Sequence, residues 1–188
     1  MARSEGNLFV DGFTGKVGGN MVFRKRRSGS LIVAKNRKRN TLAPTEAQAR
    51  VREIFREGSI YGKSVMQNPA LKAMYEKVAI GNQSAYNLAL RDFAKRPEVK
   101  SLNTAGYTGQ PGSIIVVKAI DDFKVTTVKV SIFSATGDLL EEGDAVVGIN
   151  GLEWAYTATV LNNAVAGTNI KAIAKDIPGN EGSLEVIL

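Results

Sequence analysis

Apolar residues fall at strand-like spacing near the N-terminus, at helical spacing through the middle and again at strand-like spacing near the C-terminus. Leu8, Phe9 and Val10 lead into Gly12, Gly15, Gly18 and Gly19; residues 21–24 and 31–34 then flank a turn-like Arg27-Ser28-Gly29-Ser30. The pattern predicts a hairpin with charged residues at its tip and glycine where positive φ is needed. A two-stranded ribbon is marginal by itself, so this one should dock on helices, on another subunit or on a polyanion.

A linker over residues 40–43 ends at Pro44, and the period lengthens behind it. Thr45 and Gln48 have the spacing of a capping box, followed by Val51, Ile54, Phe55 and Val65 at helical spacing. Gly58 and Gly62 lower helix propensity but open the surface to close approach of another helix. Asn68-Pro69 predicts a second helix start, an amide cap before a proline in the first turn, with Leu71, Met74, Tyr75 and Val78 as its stripe and Gly81 as its end. A third helix is expected from Asn82, burying Ala85, Tyr86, Ala89, Leu90 and Phe93 before Arg96-Pro97 stops it. Three helices with short joints suit a small bundle.

From about Gly112 apolar residues recur at every second position. Strands are predicted over residues 114–119, 125–133, 153–159, 168–174 and 184–188, with turns at Asp121-Asp122, Thr136-Gly137-Asp138, Asn150-Gly151 and Pro178-Gly179-Asn180. Val128, Val130 and Ile132 alternate with Thr127, Lys129 and Ser131, as on a sheet with one dry face. Short strands at this spacing predict a small β-sandwich. The expected fold class is therefore α+β in two domains. Residues 1–43 are the basic Gly-rich hairpin arm and linker, residues 44–97 the three-helix unit, residues 98–111 a Gly- and Pro-containing linker, and residues 112–188 the sandwich.

Composition removes several chemistries. Among 188 residues there is no cysteine and no histidine, which excludes disulfides, thiolate nucleophiles, imidazole bases and the usual zinc ligands. Gly15-Lys16-Val17-Gly18-Gly19-Asn20 fits neither the Walker pattern nor Gly-x-Gly-x-x-Gly, so no nucleotide loop and no cofactor is expected. No segment approaches the roughly 18 apolar residues that span a bilayer, and the N-terminus lacks the apolar run of a cleaved signal. Cytoplasmic synthesis and assembly are the expectation.

Charge adds an asymmetry that the total of +7 hides. Residues 1–100 hold 20 Lys and Arg against 8 Asp and Glu, a net of +12, and residues 101–188 hold 5 against 10, a net of −5. Such a basic half attracts phosphate, an acidic membrane surface or the acidic half of a neighbouring copy.

Residues 112–188 resemble bacterial immunoglobulin-like sandwich domains. The residues that carry the resemblance are Ala119-Ile120-Asp121-Asp122, Val128-Lys129-Val130, Trp154-Ala155-Tyr156 and the closing Ala174-Lys175-Asp176-Ile177-Pro178-Gly179-Asn180. The resemblance implies an adhesion or spacer module and no catalysis. Residues 1–100 resemble uncharacterised bacterial proteins that open on a Gly-rich basic hairpin like Gly15-Lys16-Val17-Gly18 through Phe23-Arg24-Lys25, followed by a helix like residues 48–55. That second resemblance implies no function.

The candidate contact residues are Arg24, Lys25, Arg26 and Arg27 with Lys35, Arg37, Lys38 and Arg39, facing either a subunit or a polyanion. Strand geometry sends Arg24 and Lys25 to opposite faces, and with no base-reading helix or aromatic platform any contact with DNA or RNA would be nonspecific. Leu184, Val186 and Leu188 form an apolar strand whose edge could pair with an arm strand of another copy. Asp121, Asp122, Asp138, Glu141, Glu142 and Asp144 have the oxygen chemistry for calcium without its twelve-residue loop, so ordinary turn acids are the simpler reading and no metal is expected. Trp154 and Tyr156 share a strand face and read as core. The expectation is a non-enzymatic structural subunit that binds copies of itself, forming a polymer or shell through its N-terminal arm. The alternative is a nonspecific nucleic-acid-binding protein that uses the basic arm.

Overall fold

A computed structural model describes residues 2–4, 12–26, 28–37 and 41–188, and of residues 2–4 only the backbone. The chain divides into two compact units, Met1–Leu90 and Arg91–Leu188. The described residues form three helices and three four-stranded sheets, an α+β chain of mostly β content.

In the first unit β1 (Ala2–Ser4), β2 (Gly15–Val17), β3 (Met21–Lys25) and β4 (Leu31–Lys35) make an antiparallel sheet in the order β1-β4-β3-β2. The expected hairpin is β3 with β4. Its turn is closed by Arg26 N donating to Ser30 O and by Gly29 N donating to Arg26 O, each at 2.9 Å, with Gly29 at φ 86° where a side chain would be strained. The ribbon does not stand alone, because β2 and β1 extend it on either side; three-residue strands are too short to show a period in sequence.

The first helix, α1 (Glu46–Gln67), begins at the expected capping box. Gln48 N donates to Thr45 Oγ1 and Thr45 N to Gln48 Oε1, both at 3.3 Å. Asn68 Oδ1 accepts from Ala70 N and Leu71 N to start α2 (Pro69–Val78). Tyr75 of α2 is fully buried, its hydroxyl 3.1 Å from that of Tyr61 on α1. The third helix, α3 (Ala85–Ala94), starts three residues later than Asn82, because Ser84 Oγ accepts from Asn87 N and serves as its cap. Ala85, Leu88 and Ala89 are its buried apolar side chains, while Tyr86, Leu90 and Phe93 are half-buried. A Cβ at Gly62 would come within 2.9 Å of the Tyr86 ring, so this glycine permits the close approach.

In the second unit the expected linker over residues 98–111 is corrected. Residues Glu98–Asn103 form β5, paired with β6 (Ile114–Ile120) from Glu98 opposite Ile120 to Asn103 opposite Val116. A bulge between Val99 and Ser101 puts the buried Val99 and Leu102 three residues apart, which hides the two-residue period. The glycines that follow belong to a connection within the unit.

Chain order continues with β7 (Val125–Phe133), β8 (Leu139–Asp144), β9 (Val146–Val147), β10 (Glu153–Thr157), β11 (Asn169–Asp176) and β12 (Glu181–Ile187). One antiparallel sheet runs β5-β6-β10-β9 and the other β12-β11-β7-β8. Both contribute to one core, with Ile115 and Val117 from the first and Val128, Val130, Ile132, Ile170, Ala172 and Ala174 from the second. Trp154 and Tyr156 lie in that core, as read from their shared strand face, and Ala155 between them is exposed.

Candidate functional site

Pairing in the N-terminal sheet decides which cations meet. Val22 lies opposite both Lys16 and Ala34, and Arg24 opposite Ile32, so these five residues share one face. Lys25, opposite Leu31, and Lys35, opposite Met21, belong to the other face with Phe23. The candidate run is therefore divided between faces near its turn. A cleft of about 830 Å³ is lined by Lys16, Arg24, Lys25, Arg26, Lys35 and Arg37 with Val22, Ile32 and Ala34 and by no acidic residue, although Lys25 and Lys35 belong by register to the opposite face. Asn36, also in the lining, donates from Nδ2 to Gly19 O at 2.8 Å. All six cations are exposed. Arg27, Lys38 and Arg39 lie outside the described residues. Exposed cations without acidic neighbours in the lining attract phosphate and carboxylate groups in general, and that attraction is screened by salt.

The proposed pairing edge, β12, does lie at the edge of its sheet, beside β11. Leu184, Val186 and Leu188 are not displayed there for a partner, because they pack partly buried against the core of their own unit. The side chains exposed along β12 are Glu181, Ser183, Glu185 and Ile187. Lys171 Nζ sits 2.8 Å from Glu185 and Lys175 Nζ 3.4 Å from Glu181. The hydrogen bond from Lys171 holds the Glu185 carboxyl below the usual carboxylate range. Charges of this kind discourage edge-to-edge pairing.

The six acids considered for calcium do not converge. Asp121 Oδ2 accepts from the backbone of Phe123 and Lys124, and Asp122 pairs with Lys95 and with Arg91, the latter at 3.5 Å. Asp138 accepts from Thr136 Oγ1, and Glu142 from Lys129 and Ser131. Glu141 Oε2 accepts from Thr159 N at 2.8 Å, Thr159 Oγ1 at 2.9 Å and Val160 N at 3.2 Å, tying the neighbouring loop down. Burial, reinforced by the charge of Glu141, pushes the Tyr156 hydroxyl up to about 12.

The carboxylates that do converge are Asp92, Asp121 and Asp176, whose oxygens lie within 4.8 Å of one another. They come from α3, the turn after β6 and the end of β11, too far apart in sequence to stand out as a group. Asp92 and Asp176 are each 2% exposed. Asp176 Oδ1 accepts from Gly179 N at 2.8 Å and Asn180 N at 2.6 Å, and Oδ2 from Asn180 Nδ2 at 2.8 Å. Burial raises the Asp176 carboxyl above its ordinary value against the pull of those hydrogen bonds. Three such oxygens are donors of the type that hard divalent cations take.

A further surface lies on the first half of α1, where helical spacing alone reads as core. Val51, Ile54 and Phe55 are 66%, 36% and 59% exposed, although Gly58, Gly62 and Val65 farther along the same helix are buried. Periodicity shows that a stripe exists, not whether its partner lies in the same chain.

No family model matches this chain, and no curated protein does. Among solved structures it is similar to an engineered protein at 18% identity and a TM-score of 0.30, over 40% of this chain and 15% of that one. It is also similar to a tetra-tandem repeat in the extending region of a large adhesion protein, at 20% identity and a TM-score of 0.33, over 48% of this chain and 22% of that one. The chain thus spans less than a quarter of either neighbour, at scores too low to define a shared fold.

Proposed function

We propose that the protein is a non-enzymatic structural subunit that associates with copies of itself into a polymer or shell. The observation that carries this reading is the exposed apolar half of α1, whose Val51 and Phe55 are left largely in water by a chain long enough to bury them. Opposite net charge in the two halves of the sequence favours repeated contact between copies. The C-terminal unit then acts as an immunoglobulin-like spacer, a reading supported by two antiparallel sheets around one core that contains Trp154. The N-terminal strands β1 and β2 are engaged in the sheet of their own chain, so contact through this region uses the outer surface of a formed sheet rather than a free arm. Light scattering and sedimentation of the full chain at low salt should show mass rising with concentration. A single monomeric species at every concentration would refute the proposal.

A second reading, nonspecific binding of DNA or RNA, is favoured by the six cations and the absence of acids in the hairpin cleft. Counterion release then makes affinity fall steeply with salt and little with sequence. Reversing Arg24, Arg26, Lys35 and Arg37 to Glu should abolish an electrophoretic shift seen at about 50 mM salt. No shift of either nucleic acid by the unaltered protein removes this reading.

A further inference from the structure

Ala47, Val51, Ile54, Gly58, Tyr61 and Val65 follow one another at alternating steps of four and three along α1, the spacing of a coiled-coil seam. The later half of the seam closes within the chain. Gly58 and Val65 are buried, Tyr61 reaches the Tyr75 hydroxyl, and Gly62 lies under the Tyr86 ring. The earlier half continues the same line into solvent. Arg50 and Glu57 flank it at equivalent positions seven residues apart. Glu53 and Arg56 sit 3.8 Å from each other, whereas Arg50 and Glu57 make no ion pair among the described residues.

We propose that residues 47–58 of α1 dock antiparallel on the same segment of a second copy, about a two-fold axis near residues 52 and 53. Val51 then packs beside the partner's Ile54, and Arg50 faces the partner's Glu57 twice over. Charge selects both occupant and direction. In an antiparallel pair these flanking positions face each other, so the seam complements itself; in a parallel pair Arg50 would face the partner's Phe55 and Glu57 the partner's Gly62, and no charge would be matched. A two-fold contact uses the same patch on both copies, as this one does. Its twelve residues span about 18 Å, short enough to bind weakly alone and to matter where contacts repeat. This inference rests on the self-assembly reading and specifies its contact.

Sedimentation velocity of the full chain across a concentration series tests both, with Arg50→Glu, Glu57→Arg, the double swap Arg50→Glu/Glu57→Arg and Val51→Glu. All three positions are exposed, so circular dichroism should be unchanged. Each single swap replaces two attractions by two repulsions and should weaken self-association roughly tenfold at low salt. The double swap should restore it, and Val51→Glu should abolish it. Single swaps without effect, or a double swap that fails to restore association, overturn the antiparallel contact. Association that survives Val51→Glu overturns α1 as the contact while leaving self-assembly standing. A monomeric unaltered protein overturns both.

Discussion

The two units treat similar apolar stripes in opposite ways. In the C-terminal unit Val128, Val130, Ile132, Ile170, Ala172 and Ala174 are all at 0% exposure. In the N-terminal unit only Val65, Tyr75 and Ala89 among the described apolar side chains come that close to complete burial. A stripe covered within the chain holds the fold, and one left open is available for another molecule. The distinction is physical and can be broken by substitution.

The largest effect is expected in the sheet core. Ile132→Ala removes fully buried atoms from close packing and should cost about 3 kcal/mol, whereas Val51→Ala, in dilute monomer, should stay within about 0.5 kcal/mol. Trp154, the single tryptophan, reports on the C-terminal unit by fluorescence, and helix circular dichroism reports on α1. Urea denaturation followed by both signals checks the contrast. A comparable loss for Val51→Ala would mean that the chain itself covers the α1 stripe.

Much of this contrast was unreadable from sequence for a specific reason. Thr45 with Gln48, and Asn68 with Pro69, mark helix starts because their chemistry is local, and the alternation in residues 125–133 marks a one-sided strand for the same cause. Strand β5 escaped because its bulge breaks the alternation, and β8 because Glu141, Glu142, Gly143 and Asp144 read as a polar turn. Glu141 points inward because a loop closes over it, a tertiary fact. The basic residues of the candidate site were legible as a cluster, but their division between two sheet faces depended on register. The exposure of Val51 and Phe55 depended on where α2 and α3 stop covering α1.

A smaller effect should follow from cutting polar ties, again unequally. Glu141→Ala leaves the Thr159 and Val160 amides without the acceptor they share and should cost about 2 kcal/mol in the Trp154-monitored transition. Thr45→Ala removes the first half of the α1 capping box and should cost about 1 kcal/mol, seen in the helix signal. If Thr45→Ala proved the costlier of the two, the N-terminal unit would be the more tightly specified and the contrast reversed.

The smallest effect concerns pH and should be confined to the C-terminal unit. Asp176 has its carboxyl raised above the unfolded value near 3.9, first by burial and also by Asp121 beside it, with Asp92 completing the trio. The positive charges of Arg91 and Lys95 are engaged by Asp122. A raised carboxyl binds its proton more readily in the folded state. Its stabilising contribution is therefore complete below the unfolded value and is lost as pH rises through the folded one. Glu142 and Glu185, lowered chiefly by hydrogen bonds from Lys129 and Lys171, act in the opposite sense, their contribution being lost as pH falls. Both are exposed and screened by solvent, and their loss begins only near the ordinary carboxylate range. As pH falls from neutrality toward the raised Asp176 value, the Trp154-monitored urea midpoint should therefore rise before general acid unfolding lowers it. Asp176→Asn should flatten that rise, and the helix signal of the N-terminal unit should show none. A midpoint that falls steadily from neutral pH, identically with and without Asp176, would show that Asp176 keeps its charge in the folded state.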